Sequence, residues 1–142
     1  MLYSVELSDY MLNHPITLTK DTTIAEAADL ITESKVSGVL VVNDHREVIG
    51  ILSELDCLRV VVDGFKGGAS PASVIVGDVM TTQVEAQDPH DDIVDVAASM
   101  LDHKHRRRPV VKDGKLIGQV TCRQILRVFG LNAFKAAKAA KK

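Results

Sequence analysis

The chain of 142 residues has no tryptophan, and aromatic side chains make up only 4% of it. Proteins that hold single-stranded nucleic acid without sequence preference stack bases on several exposed rings, so that class is disfavoured. No apolar run approaches the roughly 18–20 residues that span a bilayer as a helix. The first ten residues carry acids at Glu6 and Asp9 and no base, unlike a secretory leader. The expected compartment is therefore cytoplasmic. The two cysteines, Cys57 and Cys122, stand in separate apolar stretches without Cys-x-x-Cys spacing. Both are expected to be buried, reduced thiols. There is no Ser/His/Asp arrangement, no metal-ligand spacing and no phosphate loop ending in Gly-Lys-Ser/Thr. No enzyme activity is expected, and neither a catalytic residue, a metal ligand nor a required cofactor is assigned.

What is present is a globular composition, 46% hydrophobic and 25% charged. The net charge of −2 hides a segregation. Residues 1–102 hold 5 Lys+Arg against 18 Asp+Glu, a net −13, whereas residues 103–142 hold 12 against one, a net +11. A small overall charge therefore does not exclude an anionic ligand.

The sequence repeats itself at an offset of 69 residues. Asp9-Tyr10-Met11 corresponds to Asp78-Val79-Met80, Ile24 to Ile93, Ala28 to Ala97, and Val41-Val42 to Val110-Val111. The offset drops to 68 after the turn Asn43–Arg46, so that Ile49-Gly50 matches Ile117-Gly118 and Ser53 matches Thr121. A one-residue slip placed in a turn is what a duplicated structural unit should show.

Each copy reads alike. Pro15 to Thr19 is extended, and Thr23-Ile24-Ala25-Glu26 opens an amphipathic helix with Ile24, Ala27, Ala28 and Ile31 on one face. The β-branched run Val36–Val42 turns at Asn43–Arg46 into Val48–Leu52, a hairpin. Ser53 then caps a helix running to about Val62. In the second copy Val84 and Ala86 are extended, and a helix follows Asp92 with Ile93, Ala97 and Met100 at its spacing. Asp113-Gly114 joins two strands, and Thr121 caps a last helix through Ile125, Val128 and Phe129. That helix continues apolar at Leu126, Leu131 and Phe134, more than one stripe, which points to contact with another subunit. The organisation expected is a first repeat over 1–62, a linker over 63–73, a second repeat over 74–130 and a basic helical tail over 131–142.

Gly50-Ile51-Leu52-Ser53-Glu54-Leu55-Asp56, with its counterpart Gly118–Gln124, resembles the Gly-apolar-apolar-Ser/Thr-x-x-Asp signature of tandem cystathionine β-synthase-type (CBS) domains. The resemblance covers about residues 4–130. It implies an α+β fold of two pseudo-symmetric β-α-β-β-α repeats packed as a pair, with clefts between them, and frequently a homodimer. It also implies a regulatory module that binds an adenosine-containing ligand such as AMP, ADP or ATP and signals to a protein partner.

By this resemblance Asp56 holds a ribose, Ser53 contacts phosphate, Thr17 offers a hydroxyl to the same cleft, and Ser37, Gly38 and Val39 bracket an adenine. Ser53 and Asp56 also fit an ordinary helix cap, and a helix N-terminus in turn suits anionic oxygens. The second repeat keeps Thr121 but has Gln124 for the aspartate and Ala86 for Thr17, so its site is expected to be weaker, altered or empty. The segment His103–Pro109 adds Arg106, Arg107 and Arg108, which suit a polyphosphate or form a solvated basic turn. Two other readings remain beside the ligand-binding one. One is a nucleic-acid or acidic-partner protein using the C-terminal lysines, which also suit a helix dipole. The other is a structural dimerisation module with empty clefts. Membrane attachment is not expected.

Overall fold

A computed structural model describes residues 4–130 of the chain. The expected tail over 131–142, with Leu131 and Phe134, lies outside the described residues. The elements in order are β1 (Leu12–Asn13), β2 (Thr17–Leu18), α1 (Ile24–Ser34), β3 (Gly38–Val42), β4 (Val48–Ser53), α2 (Glu54–Phe65), α3 (Ile93–His103), β5 (Arg107–Lys112), β6 (Lys115–Thr121) and α4 (Cys122–Ile125). The described residues fall into two compact units, 15–84 and 4–14 with 85–130.

In the 15–84 unit, α1 begins where the Thr23 hydroxyl accepts the Glu26 N–H at 3.1 Å. It ends at Lys35, whose φ of 56° is left-handed. Ile24, Ala27 and Ile31 are buried at helical spacing, as the sequence predicts. The sheet order is β2-β3-β4, with β2 parallel and β4 antiparallel to β3. The side chains of Val39 and Val41 pack with Leu18, Ile24, Ile31, Leu52, Cys57, Val60 and Val76 in one apolar core. Burying each of these large side chains contributes about 1.5–3 kcal/mol. The predicted helix after Ser53 runs one turn further than expected, to Phe65. Residues 66–84 are then stitched back onto the same unit. Ile24 N–H donates to Val74 O at 2.8 Å, Ala25 N–H to Pro71 O at 3.1 Å, and Gly77 N–H to Lys20 O at 2.8 Å.

The other unit has the sheet order β1-β6-β5. Asp92 caps α3 by accepting from Val94 and Asp95 N–H, and Lys104 ends it with φ 58°. The buried face of α3 is Ile93, Val96 and Met100, so Val96 takes the place expected for Ala97. Asp113 and Gly114 both have positive φ, 52° and 77°, as the two-residue turn between β5 and β6 requires. The last helix is α-helical only over α4 and continues as a π-helical turn, Leu126–Gly130. Leu7 is fully buried in this unit, and Tyr10 stacks on Phe129 with centroids 4.8 Å apart.

The compact units are therefore not the sequence repeats. The segment ahead of each repeat pairs with the hairpin of the other. Leu12 and Asn13 pair with Gln119 and Gly118, and the matching residue Thr81 exchanges two hydrogen bonds of 2.9 Å with Ile51. This crossing explains one glycine of each signature. A Cβ at Gly50 would lie 2.5 Å from the Met80 sulfur and 3.0 Å from Thr81 O. A Cβ at Gly118 would lie 2.8 Å from both Leu12 O and the Met11 sulfur. One expectation is corrected here: Cys57 is buried but Cys122, at the first position of α4, is exposed. An apolar neighbourhood in sequence does not bury a residue whose helical position faces outward.

Candidate functional site

The 15–84 unit gathers its expected residues at one end of its sheet. Gly38 opens β3 and stands opposite Ser53, the last residue of β4. Thr17 opens β2, parallel to β3 and opposite Leu40, so it starts at that same end. Ser53 is also the N-cap of α2, its hydroxyl accepting the Asp56 N–H at 3.1 Å. Asp56 Oδ2 accepts the Ser53 N–H at 2.9 Å, closing a reciprocal capping box. Glu54 N–H donates to Ser37 O at 2.9 Å, which ties the β3 entry to the first turn of α2.

Thus Ser37, Gly38, Ser53 and Asp56 are held together by backbone and capping bonds. Val39 sits beside them with its side chain in the core, so it offers backbone only. Asp56 uses one carboxylate oxygen for the cap. Its Oδ1 makes no hydrogen bond among the described residues and keeps acceptor capacity for a hydroxyl pair. Burial, with Asp56 beside it as the second cause, pushes the Cys57 thiol above its ordinary pKa, so Cys57 stays protonated and inert.

The other unit repeats the frame with different chemistry. Arg107 stands opposite Thr121 as Gly38 stands opposite Ser53, and Cys122 N–H donates to Arg106 O at 2.9 Å. Thr121 and Gln124 form the same capping box, with Thr121 N–H donating to Gln124 Oε1 at 3.0 Å and Gln124 N–H to the Thr121 hydroxyl at 3.2 Å. Gln124 thus replaces the aspartate as a cap without supplying a carboxylate.

The three arginines separate. Arg106 is exposed, whereas Arg107 and Arg108 are 8% and 2% exposed. Arg108 is committed inside the unit, donating to Gln87 Oε1, Ser99 Oγ and His105 Nδ1 at 2.8, 2.9 and 3.2 Å. Sequence reading did not find this cluster. Its signal was Gln87, a polar residue where the other repeat has Leu18.

The family pattern described as the CBS domain matches residues 7–63 and 76–130. The chain belongs to the CBS-domain family. It is 29% identical over 86% of its length to an uncharacterized protein of Methanocaldococcus jannaschii and 34% identical over 88% to one of Methanopyrus kandleri. It spans only 42% and 63% of those two relatives. Among solved structures it is similar to CBSX2 of Arabidopsis thaliana in complex with AMP, with 29% identity and a TM-score of 0.76. That alignment covers 98% of this chain and 100% of that one. The α+β fold of two CBS repeats is the architecture shared by these proteins. Among the described residues no helix is long and apolar enough to cross a membrane.

Proposed function

We propose that this CBS pair is a cytoplasmic regulatory module that binds an adenosine-containing ligand, with Asp56 of the 15–84 unit as its principal contact. The observation that carries the reading is the Ser37–Gly38–Ser53–Asp56 cluster, in which one Asp56 carboxylate oxygen has no hydrogen-bond partner among the described residues at the N-terminus of α2. In this reading Asp56 accepts the ribose hydroxyls and Ser53 and Thr17 approach phosphate. The backbone of Ser37, Gly38 and Val39 lies along the base.

Arg106, Arg107 and Thr121 are the matching contacts of the second repeat, with Arg108 positioning the strand rather than meeting ligand. Arginine where the first repeat has Ser37 and Gly38, and Gln124 where it has Asp56, suit phosphate better than ribose. The AMP held by CBSX2 supports an adenine nucleotide as the ligand class. Regulation is passed to a protein partner, and the chain itself performs no chemistry in this reading.

A thermal-shift panel of AMP, ADP, ATP, S-adenosylmethionine and NAD tests it. A ligand at about 100 times its Kd should stabilise the fold by roughly 2.7 kcal/mol. No shift with any of them would dismiss the reading.

A further inference from the structure

In the 15–84 unit Leu18 and Val39 lie in the apolar core, and Leu30 and Val36 are partly buried against it. The residues at the same repeat positions in the other unit are Gln87, Ser99, His105 and Arg108. An apolar corner has been exchanged for a polar one. Arg108 donates through Nε to His105 Nδ1 at 3.2 Å, and through Nη1 to Gln87 Oε1 at 2.8 Å and Ser99 Oγ at 2.9 Å. Gln87 Nε2 in turn donates to Asp91 Oδ2 at 2.6 Å. No carboxylate bonds the guanidinium directly among the described residues.

A buried cation held only by neutral acceptors depends on every one of them. One of these acceptors titrates. His103 Nδ1 also lies 3.5 Å from Arg108 Nη2, but it donates to Ser99 O at 2.8 Å and so is no acceptor for the guanidinium. Neutral His105 accepts at Nδ1, whereas protonated His105 is a donor at both ring nitrogens. A proton on His105 thus removes the partner of Arg108 Nε and sets a second cation against the first. The charged and titratable groups facing His105 are Arg108 from β5, His103 from the end of α3 and Glu85 from the segment before α3. The rings of His103 and His105 lie 5.3 Å apart. We infer that Gln87, Ser99, His105 and Arg108 form a proton-operated latch, which holds the entry of β5 while His105 is neutral and releases it when His105 is protonated.

Burial, then Arg108, then His103 lower the pKa of His105 from its ordinary value, against a smaller opposing pull from Glu85. The unfolded chain therefore binds the proton more readily than the folded unit. The contribution of His105 is complete above the unfolded value of about 6.5 and is lost as pH falls below it. The latch acts on β5, which begins at Arg107 just after Arg106, but needs no ligand, so it stands or falls independently of the nucleotide reading.

The test uses the full chain without ligand. NMR follows the ring titration of His105, and thermal denaturation is run from pH 7.5 to 5.0 on wild type and His105→Asn. Asparagine keeps a neutral acceptor that does not titrate. The expected results are a His105 midpoint below about 6.5 and a wild-type Tm that drops by about 3–5 °C more than that of His105→Asn. A midpoint at or above the ordinary histidine value, or parallel Tm curves for the two proteins, would overturn the latch. If His105→Asn does not fold, the wild-type ring titration decides.

Discussion

In the proposed reading Asp56 carries two tasks on one carboxylate, and substitutions can separate them. Its Oδ2 accepts the Ser53 N–H, while Oδ1 is the oxygen assigned to ligand. Asp56→Asn retains a capping acceptor but loses the charge that strengthens hydrogen bonds to hydroxyls. Calorimetry should therefore find adenine-nucleotide affinity reduced by about tenfold or more in Asp56→Asn, with the Tm of the free protein little changed. Ser53→Ala removes the hydroxyl that accepts the Asp56 N–H and should lower unfolding free energy by about 1 kcal/mol in urea titration. A larger loss of nucleotide affinity in Ser53→Ala than in Asp56→Asn would place the main contact on the wrong residue.

Among the elements, the least local feature is the exchanged pairing of β1 with β6 and of Thr81 with Ile51. It makes Gly50 and Gly118 sites of close approach. Gly50→Ala should cost about 1–3 kcal/mol of stability by forcing Met80 and the Thr81 backbone aside, measured by denaturant unfolding. The caps at Thr23, Asp92, Ser53 and Thr121 and the hairpin turn at Asp113-Gly114 were legible in sequence, because each depends on residues within a few positions. The pairing of β1 was not, since two residues carry no periodicity and their partner lies at the far end of the chain. Cys122 and the Arg108 cluster were missed for a related reason: burial of a side chain is decided by what packs on it.

On α2 the residues Leu55, Leu58, Val62 and Phe65 are 63%, 56%, 42% and 90% exposed and recur at helical spacing. The homodimer that the family resemblance implies would cover this apolar stripe. Sedimentation velocity should show a dimer in wild type and a monomer in Leu58→Asp/Phe65→Asp. An unchanged sedimentation coefficient would remove α2 from the interface.

For the whole molecule, the units of the fold and the repeats of the sequence are cut at different places. Leu7 is buried in the unit formed with residues 85–130, where Leu7 N–H donates to Asp91 O and Ile93 N–H to Val5 O, at 2.9 and 2.7 Å. Removing residues 1–14 should therefore lower hydrogen-exchange protection in α3, β5 and β6 before it does so in α1 and β3. The reverse order would contradict the exchange. The charge boundary at residue 102 falls within this same unit, at the end of α3. The basic residues 103–130 thus share a unit with the acidic residues 85–102 instead of forming a separate domain.

The division of labour between the repeats is the central claim: a ribose-type site at Asp56, and a counterpart in which Gln124 and Arg107 have replaced the carboxylate and the glycine. Isothermal titration of AMP into wild type and Asp56→Asn tests it most directly. The account predicts saturable binding in wild type and a loss of about tenfold or more in affinity in Asp56→Asn. Equal AMP affinity in the two proteins, or no binding to either, would contradict it.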